Sequence, residues 1–177
     1  MHLADLLVAV AVLGLLLAAI LGLLTMGQQA YAIGAARVEA QQSARVALQR
    51  MAREIRTAGQ SAVGGTFAAI SVAEPTRLVL HVDRNDDGVI AGRGETIIWR
   101  LAGNVLRRDA GGGAQPVING VSALRFTYLD AGGRETSVPD TVRSVLIALT
   151  TSPEYATPVA TADVATTVTT QVRLRNR

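Results

Sequence analysis

The sequence predicts an α+β protein: one long N-terminal helix, apolar in its first half and amphipathic in its second, packed on an antiparallel β-sheet. Three observations predict it. Of the 17 basic and 14 acidic residues, only Asp5 precedes Arg37, so the first 36 residues differ in kind from the rest. No proline occurs before Pro75, so one helix can run to about Ala58. From residue 66 the hydrophobic period changes from helical to alternating. The length of 177 residues gives one domain, at most two. Three parts follow: 1–30 as an apolar helix half, 31–59 as an amphipathic half, and 60–177 as a β-rich globular part.

Leu6 to Leu24 is an uninterrupted run of Leu, Ala, Val, Ile and Gly. As a helix it would be about 28 Å long, near the hydrocarbon thickness of a bilayer. Four readings compete: a plain membrane anchor, a secretory signal peptide cleaved at Ala30-Tyr31-Ala32, a buried core helix, and a segment that leaves the membrane to pack against copies of itself. The signal-peptide reading lacks a basic n-region, and the run exceeds the usual apolar stretch. A core helix apolar all round does not suit so small a domain. A plain anchor normally carries flanking arginine or lysine, whereas the nearest flank here is Asp5. An acid at the edge of an apolar span either rests among headgroups or meets a partner.

Residues 31–58 are amphipathic. Ile33, Ala40, Ala44, Ala47, Leu48, Met51, Ile55 and Ala58 share an arc of about 100°, with Arg45, Arg50, Arg53 and Arg56 on the other side. The stripe predicts docking on a sheet. A nucleic-acid-binding arginine face is the sharper alternative, but it has no interleaved aromatics and Glu54 interrupts it. Gly59 suits a helix stop.

Seven strands are predicted: Ala68–Ala73, Arg77–Asp83, Thr96–Leu101, Asn104–Arg108, Val121–Leu129, Thr141–Thr151 and Ala165–Arg175. Turn signals separate them, and a two-residue Ala102-Gly103 link predicts a hairpin. Ala110–Gly113 reads as a turn. Trp99, Phe126 and Tyr128 supply most of the aromatic mass for a core.

The stretch M-H-L-A-D-L-L-V-A-V-A-V-L-G resembles the mature N-terminus of type IV pilins and type II secretion pseudopilins. Met1 stands at the processed first position and Asp5 at the acidic fifth, where the family usually has Glu. Gly14 also fits, and Gly22 stands where many members have Pro. Q-Q-S-A-R-V-A-L-Q-R-M-A-R-E-I-R-T-A-G, with Glu54 and Arg56, is similar to the helix end of PilW-type minor pilins and J-type minor pseudopilins. So are E-T-I-I-W-R-L-A-G-N-V-L-R-R and the ending V-R-L-R-N-R.

The resemblance implies removal of a basic leader ending in Gly by prepilin peptidase, and methylation of Met1. It implies polymerisation through the apolar helix, with Gly14 and Gly22 weakening helical order in the filament core. Asp5 would pair with the Met1 amine of a neighbouring subunit, which would offset its burial and fix axial register. Implied partners are copies of the chain or other pilins, the inner-membrane assembly machinery, and the membrane before assembly. The implied location is the inner membrane, then an extracellular filament or a periplasmic pseudopilus. The PilW-type likeness favours a minor, priming subunit; major and minor roles both stay open. Other readings are a monomeric membrane-anchored binding module and a DNA-uptake filament adhesin.

Asp83-Arg84-Asn85-Asp86-Asp87-Gly88-Val89-Ile90 matches the first eight positions of a calcium loop. Asp83, Asn85 and Asp87 take alternate ligand positions, and Val89 offers its carbonyl. The closing acid, Glu95, comes one residue late, and a polar hairpin tip would have the same composition. Apart from calcium no cofactor is expected. Arg173, Arg175 and Arg177 alternate along the last strand and are candidate contacts for a polyanion; a solvated strand edge is the alternative. Thr150–Thr170 reads as a loop leading into a Thr-rich edge strand, with O-glycosylation as the second reading.

Catalysis has little support in the sequence. The absence of cysteine excludes thiolate chemistry, and the absence of lysine excludes Schiff bases and a P-loop. No Gly-x-Ser-x-Gly elbow occurs. His81 reads as a hydrogen-bonded sheet histidine rather than a base. An enzyme is not expected.

Overall fold

The computed structural model describes residues 3–64, 66–152 and 165–176. The chain divides into two compact units, Met1–Ala36 and Arg37–Arg177. Helix α1 (Leu3–Thr57) is the one element that contributes to both.

The first unit holds the apolar half of α1. Its leucines, valines and isoleucines from Leu3 to Leu24 are more than half exposed. Its mean hydropathy reaches 3.0 over an 18-residue window, so α1 is long and apolar enough to cross a membrane.

In the second unit α1 buries Ala40, Ala44, Ala47, Leu48, Met51, Ala52 and Ile55, and Ala58 follows just past its end. This is the predicted stripe, with Ala52 added. Ile33 falls in the first unit and is half-exposed. Four of these seven helix positions are alanine, which leaves room for the large side chains of the sheets.

The predicted single sheet is two sheets. β1 (Ile70–Glu74), β2 (Arg77–His81), β3 (Thr96–Ala102), β4 (Val105–Asp109) and β5 (Gln115–Ile118) form an antiparallel meander. β6 (Val121–Leu129), β7 (Ser144–Thr151) and β8 (Thr166–Arg173) form a second antiparallel sheet. The break falls between β5 and β6, where Asn119-Gly120 turns the chain with Gly120 at φ 68°. Backbone and side-chain bonds join the sheets across the β1–β2 turn. The Phe126 N–H donates to the Pro75 carbonyl (2.7 Å), and the Tyr128 hydroxyl to the Glu74 carbonyl (2.7 Å). Burial pushes the Tyr128 phenol pKa strongly up, and the Glu74 carboxylate adds to this.

Strand β5 is absent from the sequence expectation. Pro116 lies inside it, which is tolerated because, among the described residues, β5 pairs only with β4 and sits at a sheet edge. β7 begins at Ser144 rather than Thr141, because Pro139–Thr141 forms a 3-10 turn. β1 starts two residues later than expected, and β2 and β8 end two residues earlier. The β3–β4 link is Gly103-Asn104, with Ala102 paired to Val105; Gly103 supplies the positive φ of 62° that the tight turn needs.

The core gathers Leu78, Leu80, Ile97, Trp99 and Leu106 from the first sheet, and Leu124, Phe126, Val145, Ile147 and Leu149 from the second, against the alanine face of α1. Alternate burial along β7 is complete: Val145, Ile147, Leu149 and Thr151 all face inward.

Polar bonds lock the helix at three heights. The buried Thr151 hydroxyl donates to the Ala40 carbonyl (3.1 Å). Glu54 accepts from Trp99 Nε1 at 2.7 Å and from Arg108 Nε at 2.8 Å. Asn176 Nδ2 donates to the carbonyls of Thr57 and Ala58, both at 3.4 Å. These carbonyls are among those a helix leaves unpaired at its C-terminus. Gly59, at φ 77°, ends the helix as expected, and its N–H donates to the His81 carbonyl (2.8 Å).

Candidate functional site

Two groups of candidate residues lie in separate units. In the first unit, Asp5 occupies the first turn of α1. A carboxylate there faces the positive end of the helix dipole, so it favours helix formation without any partner subunit. Met1 lies outside the described residues. Gly14 and Gly22 sit within the continuous helix, and a Cβ at either would meet nothing within 4 Å. Among the described residues, nothing demands glycine at these two positions.

In the second unit, the calcium candidates come together in the loop of residues 82–95 between β2 and β3. Asp83 and Glu95 are buried, at 4% and 1% exposure. Both carboxylates organise backbone. Asp83 Oδ2 accepts from the Ser61 hydroxyl (2.6 Å) and the Gly88 N–H (2.9 Å), and its Oδ1 from the Asp87 N–H (3.2 Å). The Ser61 hydroxyl, then the N–H groups of Gly88, Asp86 and Asp87, hold the Asp83 carboxyl below its usual pKa, against the opposing effect of desolvation.

Glu95 Oε2 accepts from the N–H groups of Ala91 and Gly92, and its Oε1 from that of Arg84 (3.4 Å). Asp87 accepts from the Val89 N–H (2.8 Å) and from Asn85 Nδ2 (2.7 Å). The geometry is a loop folded around its own acids. The Val89 N–H is turned to Asp87. Asp86 takes a positive φ of 59° to close the turn. For calcium to sit here, the carboxylates would exchange N–H donors for the cation. Among the described residues, no group of three or more acidic or imidazole side chains is arranged to hold a metal.

Ser61 is the loop partner that sequence reasoning missed. It lies 22 residues upstream of Asp83 and belongs to no motif. His81 bonds two hydroxyls, Thr96 Oγ1 at 3.1 Å through Nδ1 and Ser71 Oγ at 2.8 Å through Nε2. Desolvation lowers its pKa, so the neutral ring is favoured. Arg173 and Arg175 are exposed at the end of β8 and just beyond it; Arg177 lies outside the described residues.

The long apolar helix and antiparallel sheets are compatible with a pilin-like fold, and the apolar half of α1 fits a transmembrane segment. No protein-family model matches the chain, and no curated protein matches it.

Proposed function

We propose that the chain is a structural subunit of a type IV filament, a pilus or a pseudopilus, that polymerises through the apolar half of α1 after removal of a leader. The observation that carries this reading is the exposure of the apolar side chains of Leu6–Leu24 on every face of one helix. Such a surface has no stable place in water; it is covered by lipid or by other apolar helices. The resemblance of residues 1–14 to processed pilins favours the second covering as the working state. The first would hold the subunit before assembly.

In this reading the β-rich unit remains outside the apolar core of the filament. Asp5 pairs with the Met1 amine of a neighbour and sets register, because a slipped stack buries both charges unpaired. The mechanism is assembly, with no turnover.

Intact-mass spectrometry of sheared surface filaments tests the reading. A bulk component starting at a methylated Met1 supports a processed major subunit. A trace component with most of the protein in the membrane fraction supports a minor, priming subunit. A retained leader refutes the proposal in favour of a plain anchor. Asp5→Ala should lower incorporation into filaments while leaving the β-rich unit folded; normal assembly of that variant would remove the role given to Asp5.

A further inference from the structure

In the second unit α1 and β8 border a common groove. Thr151, the register partner of Thr166, bonds Ala40 at one end; Asn176, three residues beyond β8, bonds Thr57 and Ala58 at the other. A helix rises about 26 Å over those 17 steps, and the seven steps of β8 cover about 23 Å. A groove of about 560 Å³ lies between them, lined by Arg45, Gln49, Arg53 and Arg56 from α1 and by Thr169 and Thr170 from β8.

Two independent features of this groove point to one kind of occupant. The first is charge. Residues 40–60 and 165–176 contain a single acid, Glu54, and its carboxylate is turned to Trp99 and Arg108. Among the described residues, Arg45, Arg53 and Arg56 form no ion pair. The second is an open strand edge. Among the described residues β8 pairs only with β7, so its other edge presents backbone N–H and C=O groups without a strand partner there. The groove touches Val168, Thr169 and Thr170 in succession. Side chains alternate between the faces of a strand, so a groove reaching all three lies along the edge. From Thr166 to Gln171 the strand has no charge and no proline, the usual guards of an open edge.

We propose that this groove binds an extended acidic peptide segment, which adds to β8 as a fourth strand and sets its carboxylates against Arg45, Arg53 and Arg56. Backbone bonds to β8 would give affinity, and the arginine row would select acidic sequences. The spacing suits a strand. Arg45 and Arg53 are about 12 Å apart along the helix axis, and four strand residues span about 13 Å, so acids at i, i+2 and i+4 share the face that meets the arginines. A single-stranded nucleic acid fits less well, because no aromatic side chain lines the groove to stack a base. This inference is independent of the filament reading, since it concerns the second unit alone.

The test uses the intact chain in neutral detergent and fluorescently labelled peptides of alternating glutamate and valine, followed by anisotropy. Binding that weakens as salt rises is expected. The double variant Arg45→Glu/Arg53→Glu, both exposed positions, should lose about tenfold or more in affinity, as unpaired or like charges at an interface do. N-methylation of alternate residues along one peptide edge should abolish binding to the unaltered chain, and along the other edge should change it little. Equal effects of the two methylation patterns would overturn strand addition. Failure of the unaltered chain to bind, or equally tight binding of labelled oligothymidylate, would overturn the proposal as a whole.

Discussion

Replacing Glu54 is the sharpest probe of how α1 is held to the sheets. Glu54→Ala leaves two donors without their acceptor. Trp99 is fully buried, with Nε1 2.7 Å from Glu54 Oε2. Arg108 Nε is 2.8 Å from Oε1, and the two charged side chains are 15% and 14% exposed. A buried donor left unpaired costs about 1–3 kcal/mol, and a hydrogen bond between charged groups contributes about 1.5–3 kcal/mol. Breaking a fully buried pair costs about 3–5 kcal/mol, but residual water access to Arg108 places this site at the low end, about 3 kcal/mol. Arg50, 3.8 Å away and 45% exposed, adds little.

Glu54→Gln keeps one acceptor oxygen but brings an NH₂ group against the other donor, so it should cost about 1–2 kcal/mol. The chain has one tryptophan, and it is the affected one, so Trp99 emission during denaturation of the detergent-solubilised protein reads the event directly. A loss of about 3 kcal/mol should lower Tm by roughly 6–12 °C. A loss under about 1 kcal/mol for Glu54→Ala would refute the reasoning, because even one orphaned buried donor costs that much. So would a Gln variant as damaged as the Ala variant.

Two further predictions use other contacts. Gly59→Ala should destabilise by more than the roughly 1 kcal/mol of a left-handed residue, since its Cβ would stand 2.8 Å from the Asn176 carbonyl oxygen and 2.9 Å from Ala69 Cβ; unchanged denaturation would contradict the packing described. His81 has a lowered pKa in the folded chain, so protonation favours the unfolded state: its contribution is present above the unfolded value of 6.5 and is lost as pH falls from there through the lower folded value. Stability measured across that window should decline, and His81→Gln should flatten the decline; equal slopes in both proteins would sink this account.

The sequence was most legible where one period persists. The α1 stripe from Ala40 to Ala58 and the whole of β6 follow from spacing. Strand β5 was illegible because Pro116 and the preceding glycines read as a turn; only its edge position, a tertiary fact, permits a strand there. Division into two sheets was equally hidden, since alternation reports a buried face but not which sheet supplies it. Glu54 illustrates the same limit. In sequence it interrupts an arginine row, whereas in the fold it is the acid that receives Trp99 and Arg108, 45 and 54 residues away. For the candidate sites, spacing brought Asp83, Asn85, Asp87 and Glu95 to one loop, but gave no sign that backbone N–H groups occupy them or that Ser61 joins.

The bonds that close α1 come from far downstream: Thr151 to Ala40 spans 111 positions, and Asn176 to Thr57 spans 119. Such pairings carry a large loop-closure cost that must be met before their reward arrives. Glu54 can meet Trp99 and Arg108 once the first sheet is made, but the bonds at the two ends of the docked half wait for Thr151 and Asn176. Closure of the amphipathic half at both ends is therefore a late step in folding. Until then the nascent chain presents both an apolar segment and an unfinished sheet edge, the interval in which a chaperone or an assembly factor has the most to gain by holding it.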